Sequence, residues 1–265
     1  MIEKMIQQNP LSIYYTVSGS GEPVLFIHGF GEDGAVWEEI RAGLEKEYTV
    51  IVPDLPGSGR STGISEDLSM ESLAECIKLV LDKESINRCS VIGHSMGGYI
   101  TLAFADRYPQ MLSSLGLFHS TAVADNEEKK AGRRKNMDFI SRHGALKFLD
   151  QSIPKLFSEE SNKKNTGLIK RTIQRYGNFS EQSLLYYTAA MMHRRERTQI
   201  LKNFTGPVLF IMGEFDSAIP IEQSLKECHI PGISYIYICT RSGHMGMLEE
   251  PEFCISAIKY FLSGQ

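Results

Sequence analysis

Ser90-Val91-Ile92-Gly93-His94-Ser95-Met96-Gly97-Gly98 reads as a short apolar strand, a G-x-S-x-G turn and the start of an apolar helix that runs through Arg107. A chain with 23 glycines supplies such a match by chance, on the order of 0.2 times per sequence of this size, so the pattern alone is weak. Its placement directly after a strand and directly before a helix carries the information. The turn forces Ser95 into strained backbone angles, and side chains at 93 and 97 would collide with the neighbouring strand and helix. Such a turn lifts a serine hydroxyl above the end of a sheet.

The surrounding sequence supplies the sheet. Upstream, Ser12 to Val17 and Val24 to Ile27 are β-branched and aromatic, and Gly19 and Gly21 between them predict a hairpin-like turn. Residues 35–46 have the helical spacing of Val36, Ile40 and Leu44, and Tyr48 to Val52 is an unbroken apolar run ending in PDLPGSG. That last segment lacks the G-x-x-x-x-G-K-[ST] pattern of a phosphate loop and reads as a structural turn. A helix at about 69–83 precedes the elbow, and a strand at Leu115 to Phe118 follows it. This βαβαβ order implies a mostly parallel sheet with helices on both faces. Residues 120–204 are charged and helical in spacing, with breaks expected near Gly144, Pro154, Gly167 and Gly177. Alternation resumes with a strand at 207–213, a helix near 221–228, a strand at Ser234 to Cys239 and a helix at about 251–262. The expected organisation is an α/β core at 1–119 and 205–265 with a helical insertion at 120–204.

A serine hydroxyl is a poor nucleophile near neutral pH and needs a base that is itself oriented by an acid. Gly213-Glu214-Phe215-Asp216 and Arg241-Ser242-Gly243-His244 each leave the end of a strand at the edge where Ser95 sits. Asp216 and His244 are therefore the expected acid and base, with Asp125 as the alternative acid. His28-Gly29-Phe30-Gly31 follows the strand ending at Ile27, and the amides of Phe30 and Met96 are the candidate donors to a developing oxyanion. His28 and His94 sit beside glycine turns, as groups that hydrogen-bond around the site. His119 is expected to line a substrate pocket, while His143, His193 and His229 read as surface or packing residues. No histidine pair has metal-ligand spacing with a third ligand, so no metal site is expected.

Composition excludes several classes. The formal net charge is −4, 42% of residues are hydrophobic and 23% charged, which fits a globular domain and argues against a nucleic-acid partner. No apolar stretch approaches the ~20 residues of a membrane span, and no secretory signal is visible, so the cytoplasm is the expected location. Five cysteines without CxxC spacing read as buried reduced thiols.

HGFG at 28–31, PDLPGSGRS at 53–61, GHSMGGY at 93–99, GEFD at 213–216 and SGHMGMLEEP at 242–251 together resemble the α/β-hydrolase superfamily, in its lidded serine-hydrolase branch. The resemblance implies an eight-stranded, mostly parallel sheet, a lid inserted after the sixth strand, the triad Ser95, Asp216 and His244, and no cofactor. Serine at the elbow departs from the dehalogenases and epoxide hydrolases, which place Asp there. Among the serine hydrolases, the chain is similar to carboxylesterases, which implies cleavage of a small, partly apolar ester through an acyl-enzyme. Carbon–carbon bond hydrolases, thioesterases and hydrolase-fold ligand receptors are the alternatives. The insertion is expected to roof the pocket: of its apolar residues, among them Phe139, Phe148, Phe157, Tyr186, Tyr187, Met191 and Met192, most would pack between helices and some would cover Ser95, with Tyr186 and Met191 expected in the substrate pocket. Residues 127–147 carry seven cations against three acids. That run is either a solvated helix face or a docking surface for an acidic acyl carrier protein.

Overall fold

The computed structural model describes residues 1–264. Its strands are β1 (Ile2–Gln8), β2 (Leu11–Ser18), β3 (Pro23–Ile27), β4 (Thr49–Pro53), β5 (Cys89–His94), β6 (Leu112–Phe118), β7 (Val208–Gly213) and β8 (Ser234–Cys239). Three helices precede β6: α1 (Glu38–Leu44), α2 (Met70–Lys83) and α3 (Met96–Arg107). Six lie between β6 and β7: α4 (Glu127–His143), α5 (Ala145–Leu156), α6 (Glu159–Lys164), α7 (Thr166–Tyr176), α8 (Glu181–Met192) and α9 (Thr198–Asn203). The last three are α10 (Ile221–Glu227), α11 (Gly246–Glu249) and α12 (Pro251–Ser263). Among the described residues, no helix is long and apolar enough to cross a membrane.

The eight strands form one sheet in the order β1-β2-β4-β3-β5-β6-β7-β8. Only β2 runs against its neighbours, and β3 through β8 are parallel. Successive side chains of a strand point to opposite faces. Leu25 and Ile27 of β3 enter the core on one face with Met96 and Ile100 of α3, whereas Val24 and Phe26 enter the core on the other with Trp37 and Ile258. Each central strand is thus covered on both sides, which is why β3, β4 and β7 read as unbroken apolar runs rather than alternating ones.

Two sequence expectations are corrected. Gly19 and Gly21 do not turn a hairpin, because β4 lies between β2 and β3. Both have positive φ, +78° and +121°, and a Cβ at either would overlap carbonyl oxygens of the segment 45–48 that leads into β4. The glycines serve close backbone approach. In the insertion, helices end at Gly144 and Gly177, but Gly167 lies inside α7 and Pro154 inside the last turn of α5. β1 escaped the sequence reading because it is an edge strand without a buried face: none of its residues is fully buried.

Parallel β3 to β8 all point their C-terminal ends at one edge, so the segments after them converge there. The turn between β5 and α3 is held by close packing. A Cβ on Gly93 would overlap the Gly97 carbonyl, and one on Gly97 would overlap the carbonyl oxygen of Ile27 at the end of β3. Gly97→Ala is expected to cost about 1–3 kcal/mol by overpacking. Gly132→Ala is the control, since nothing lies within 4 Å of a Cβ there, and alanine in helix α4 should instead gain roughly 0.5–1 kcal/mol. Denaturant unfolding of both variants checks this; a Gly97→Ala protein as stable as the parent would overturn the packing argument.

Candidate active site

Ser95 sits at φ 52° and ψ −113°, a conformation that costs strain for any residue with a side chain. It is pinned on both sides: its N–H donates to the Phe118 carbonyl at 2.9 Å, and its own carbonyl accepts the Ser120 hydroxyl at 2.7 Å. Both partners belong to the end of β6, so the neighbouring strand fixes the elbow. His119, at φ 47°, is a second strained residue on the same edge.

Asp216 follows β7, and its side chain is 1% exposed. Its Oδ1 accepts the backbone N–H groups of Ala218 and Ile219 at 2.8 and 2.9 Å, which fixes the carboxylate plane. Its Oδ2 accepts His244 Nδ1 at 2.7 Å and His119 Nδ1 at 3.1 Å. Burial by itself would raise this carboxyl, but His244 beside it and the hydrogen bonds from both imidazoles hold it well below the usual range. His244 is fully buried, and that desolvation lowers its pKa below the ordinary 6.5 against the opposing pull of Asp216. With Nδ1–H committed to the carboxylate, a neutral His244 keeps its lone pair on Nε2. His244 and Ser95 line the same cavity.

The remaining histidines at this edge hold backbone. The Leu55 N–H donates to His28 Nε2 at 3.0 Å, so His28 donates from Nδ1 to the Gly29 carbonyl at 2.8 Å and braces the turn before Phe30. His94 lies with Nε2 3.0 Å from the His244 carbonyl and Nδ1 3.0 Å from Glu32. Glu32 also accepts the Gly29 N–H at 2.8 Å. Burial opposes charge on Glu32, yet His94 and that amide keep its carboxyl below the usual range. A hydrogen-bond path therefore runs from the turn after β3, through Glu32 and His94, to the backbone of His244. Sequence reasoning missed Glu32, which stands one residue beyond the HGFG turn with no pattern of its own.

The site residues read from the sequence fall into two groups. Ser95, His244, Phe30 and Met191 line one cavity of about 370 Å³, and Met96 opens α3 directly behind Ser95. Helical position leaves the Met96 amide without an intrahelical partner. His119 and Tyr186 do not line the cavity. His119 is drawn under it by Asp216, and the Gly246 N–H donates to its Nε2 at 3.3 Å. Tyr186 of α8 is half-buried outside the cavity lining. Asp125, the alternative acid, ion-pairs with Arg133 and, at 2.7 Å, with Arg194, and has no contact with His244. Of the inserted apolar residues, Phe148 and Met191 face the cavity, whereas Phe157 and Tyr187 are packed in the core. All five cysteines are buried and free.

His119, Asp216 and His244 offer atoms within 4.8 Å of one another, the geometry of a metal cluster. Their facing atoms are already bonded to each other: both Nδ1 groups share Asp216 Oδ2. A cation there would have to break both bonds and displace the protons that make them, so the donor set fits a hydrogen-bonded relay better than a metal.

The family profile described as alpha/beta hydrolase fold matches residues 22–120. An uncharacterized protein of Mycobacterium tuberculosis is 35% identical over 109 residues, 41% of this chain, and the chain spans 32% of that protein's length. Over nearly the whole chain the likeness extends to a 2-hydroxy-6-oxo-6-(2'-aminophenyl)hexa-2,4-dienoic acid hydrolase of Metapseudomonas resinovorans, 25% identical across 99% of this chain and 91% of that one. A solved structure of a thermophilic esterase from Thermogutta terrifontis superposes with a TM-score of 0.93 at 28% identity, covering 100% of this chain and 99% of its own.

The electrostatics can be read directly. In a proton-detected titration His244 should titrate below 6.5, and Asp216→Asn should lower it further by removing the anion that favours the imidazolium. Asp125→Asn should leave the His244 titration in place while lowering the melting temperature, because Arg194 loses its buried partner. A His244 titration that follows Asp125 rather than Asp216 would reassign the acid.

Proposed function

We propose that this chain, which belongs to the α/β-hydrolase superfamily, is a serine hydrolase that cleaves a small, partly apolar carboxylic ester through an acyl-enzyme on Ser95. One observation carries the reading: a strained serine opens onto the same cavity as a histidine whose far nitrogen is 2.7 Å from a buried carboxylate. Ser95 Oγ attacks the ester carbonyl as its proton passes to His244 Nε2, and Asp216 holds His244 in that tautomer and stabilises the imidazolium. The amides of Phe30 and Met96 meet the developing alkoxide, the second aided by the N-terminal end of α3. His244 then protonates the leaving alcohol, and water repeats the sequence to free the acid.

The helices of residues 120–204 act as a lid. Phe148 on α5 and Met191 on α8 close the cavity over Ser95 with apolar surface, which favours an apolar body on the substrate and restricts water. The basic run at 127–147 supports a protein carrier less than its composition suggests. Arg133 turns inward to Asp125, and Lys130 and Arg134 are taken up by Glu127. A substrate free in solution is therefore the preferred reading over a carrier-bound one. Cleavage of a carbon–carbon bond is the second reading. It is favoured by the full-length likeness to the hexadienoic acid hydrolase and would use the same residues.

Ser95→Ala should fold normally yet lose three or more orders of magnitude in kcat on activated esters, since the three groups act as a unit. Retention of more than about a tenth of the activity would remove Ser95 as nucleophile. In the parent enzyme kcat/KM should fall on the acid side with a midpoint below 6.5, because the base must be neutral and its burial depresses its pKa. A midpoint above 6.5 would contradict that assignment. Esters and a ring-cleavage dienoate compared side by side decide between the two bond types.

A further inference from the structure

One wall of the cavity does not fit an apolar substrate. The face that α4 turns to it is Lys129, Gly132, Arg133 and Asn136, spaced i, i+3, i+4 and i+7, while the opposite walls are apolar side chains such as Phe148, Ile153 and Ile219. Two of these residues, Lys129 and Arg133, are cations, and Arg194 joins them at the same carboxylate. That carboxylate, Asp125, is 0% exposed and is taken by the two arginines. Arg194 is further fixed by stacking 3.9 Å over the Tyr99 ring and by donating to the Met191 and Val123 carbonyls. On α4 itself, Glu127 pairs with Lys130 at 3.0 Å.

Lys129 is the cation left over. It is half-buried and lines the cavity, and among the described residues its ammonium has no salt bridge or hydrogen bond. Burial depresses its pKa; the attraction of Asp125 opposes that, and the repulsion of Arg194 and Arg133 adds to it. Lys129 lines the same cavity as Ser95 and His244. A lysine drawn out of water costs free energy unless an anion meets it, and the carboxylate whose charge reaches it most, Asp125, is already ion-paired with Arg133 and Arg194.

We infer that this wall is an anion subsite in which Lys129 binds a carboxylate on the substrate, so that the natural ester is a monoester of a dicarboxylic acid or a close analogue with a free acid at its far end. The inference rests on the ester reading above and narrows it to a substrate class. It reconciles the two sides of the cavity: the apolar walls hold the carbon chain, and α4 meets the charge at its end. Asn136, one turn beyond Gly132, stands on the same wall as a further donor.

The test uses the full-length protein with two series of substrates, the monomethyl and the dimethyl esters of straight-chain dicarboxylic acids from succinic to suberic. In the parent, kcat/KM for the monoester should exceed that for the dimethyl ester about tenfold or more at one chain length, the length that spans Ser95 and Lys129. Lys129→Gln should collapse this ratio through KM, Lys129→Arg should restore most of it, and Lys129→Glu should invert it. An unchanged ratio in Lys129→Gln, or a parent that prefers the neutral diester at every length, would overturn the subsite. The ester reading is tested separately, by whether the parent turns over either series at all. Should it turn over neither, calorimetry still decides: monomethyl glutarate and adipate should bind the parent and Ser95→Ala measurably more tightly than they bind Lys129→Gln. Equal binding to all three proteins would refute the inference.

Discussion

The backbone of Ser95, held at φ 52° between the ends of two strands, is the constraint on which the site depends. A non-glycine residue stays in that region only where its surroundings over-determine it. Here Phe118 and Ser120 bond its amide and carbonyl, and the contacts at Gly93, Gly97 and Gly98 leave no room for a relaxed turn. The same geometry sets the start of α3, which presents the Met96 amide beside the hydroxyl. Ser95 and the proposed oxyanion donor are thus positioned by one packing event near the centre of the sheet.

Around that centre, charge is distributed by hydrogen bonds to fixed groups. Asp216 spends one oxygen on two backbone amides and the other on two imidazoles, so the carboxylate cannot rotate away from His244. His244 in turn is flanked by the rings of His94 and His119, with centroids 4.9 and 5.7 Å away. Burial disfavours an imidazolium at His244, which keeps the proposed base neutral until a proton arrives from Ser95. The structural arm through Glu32 and His94 ties the His244 backbone to the turn that carries Phe30. His244 and the proposed oxyanion donor therefore share a brace although they lie far apart in the chain.

The inserted helices add what the sheet cannot. The sheet edge supplies chemistry; α4, α5 and α8 supply the shape and polarity of the cavity above it. α4 combines a low overall hydropathy with a place against an otherwise apolar cavity, and the cations it carries are sorted by Asp125 and Glu127 into paired and unpaired ones. Composition registered only the total charge of the segment.

The sequence by itself determined the order of the core strands from β2 onward with the helices between them, the glycine turn at Ser95, and the presence of an acid and a histidine just after β7 and β8. These follow from local rules: apolar periodicity, glycine where a Cβ has no room, and the convergence of parallel strand ends. Tertiary structure alone decided the rest. β4 separates β2 from β3 because the antiparallel pairing of β2 is a long-range choice, which turned an expected hairpin into a close backbone crossing at Gly19 and Gly21. His119 became a partner of Asp216 instead of a pocket residue, and Tyr186 lies outside the cavity lining, because a side chain's direction depends on strand twist and helix rotation set by distant packing. Lys129 is unpaired for the same reason: which of seven nearby cations finds a carboxylate is fixed by where α4 and α8 come to rest against each other, and no one-dimensional spacing contains that distance.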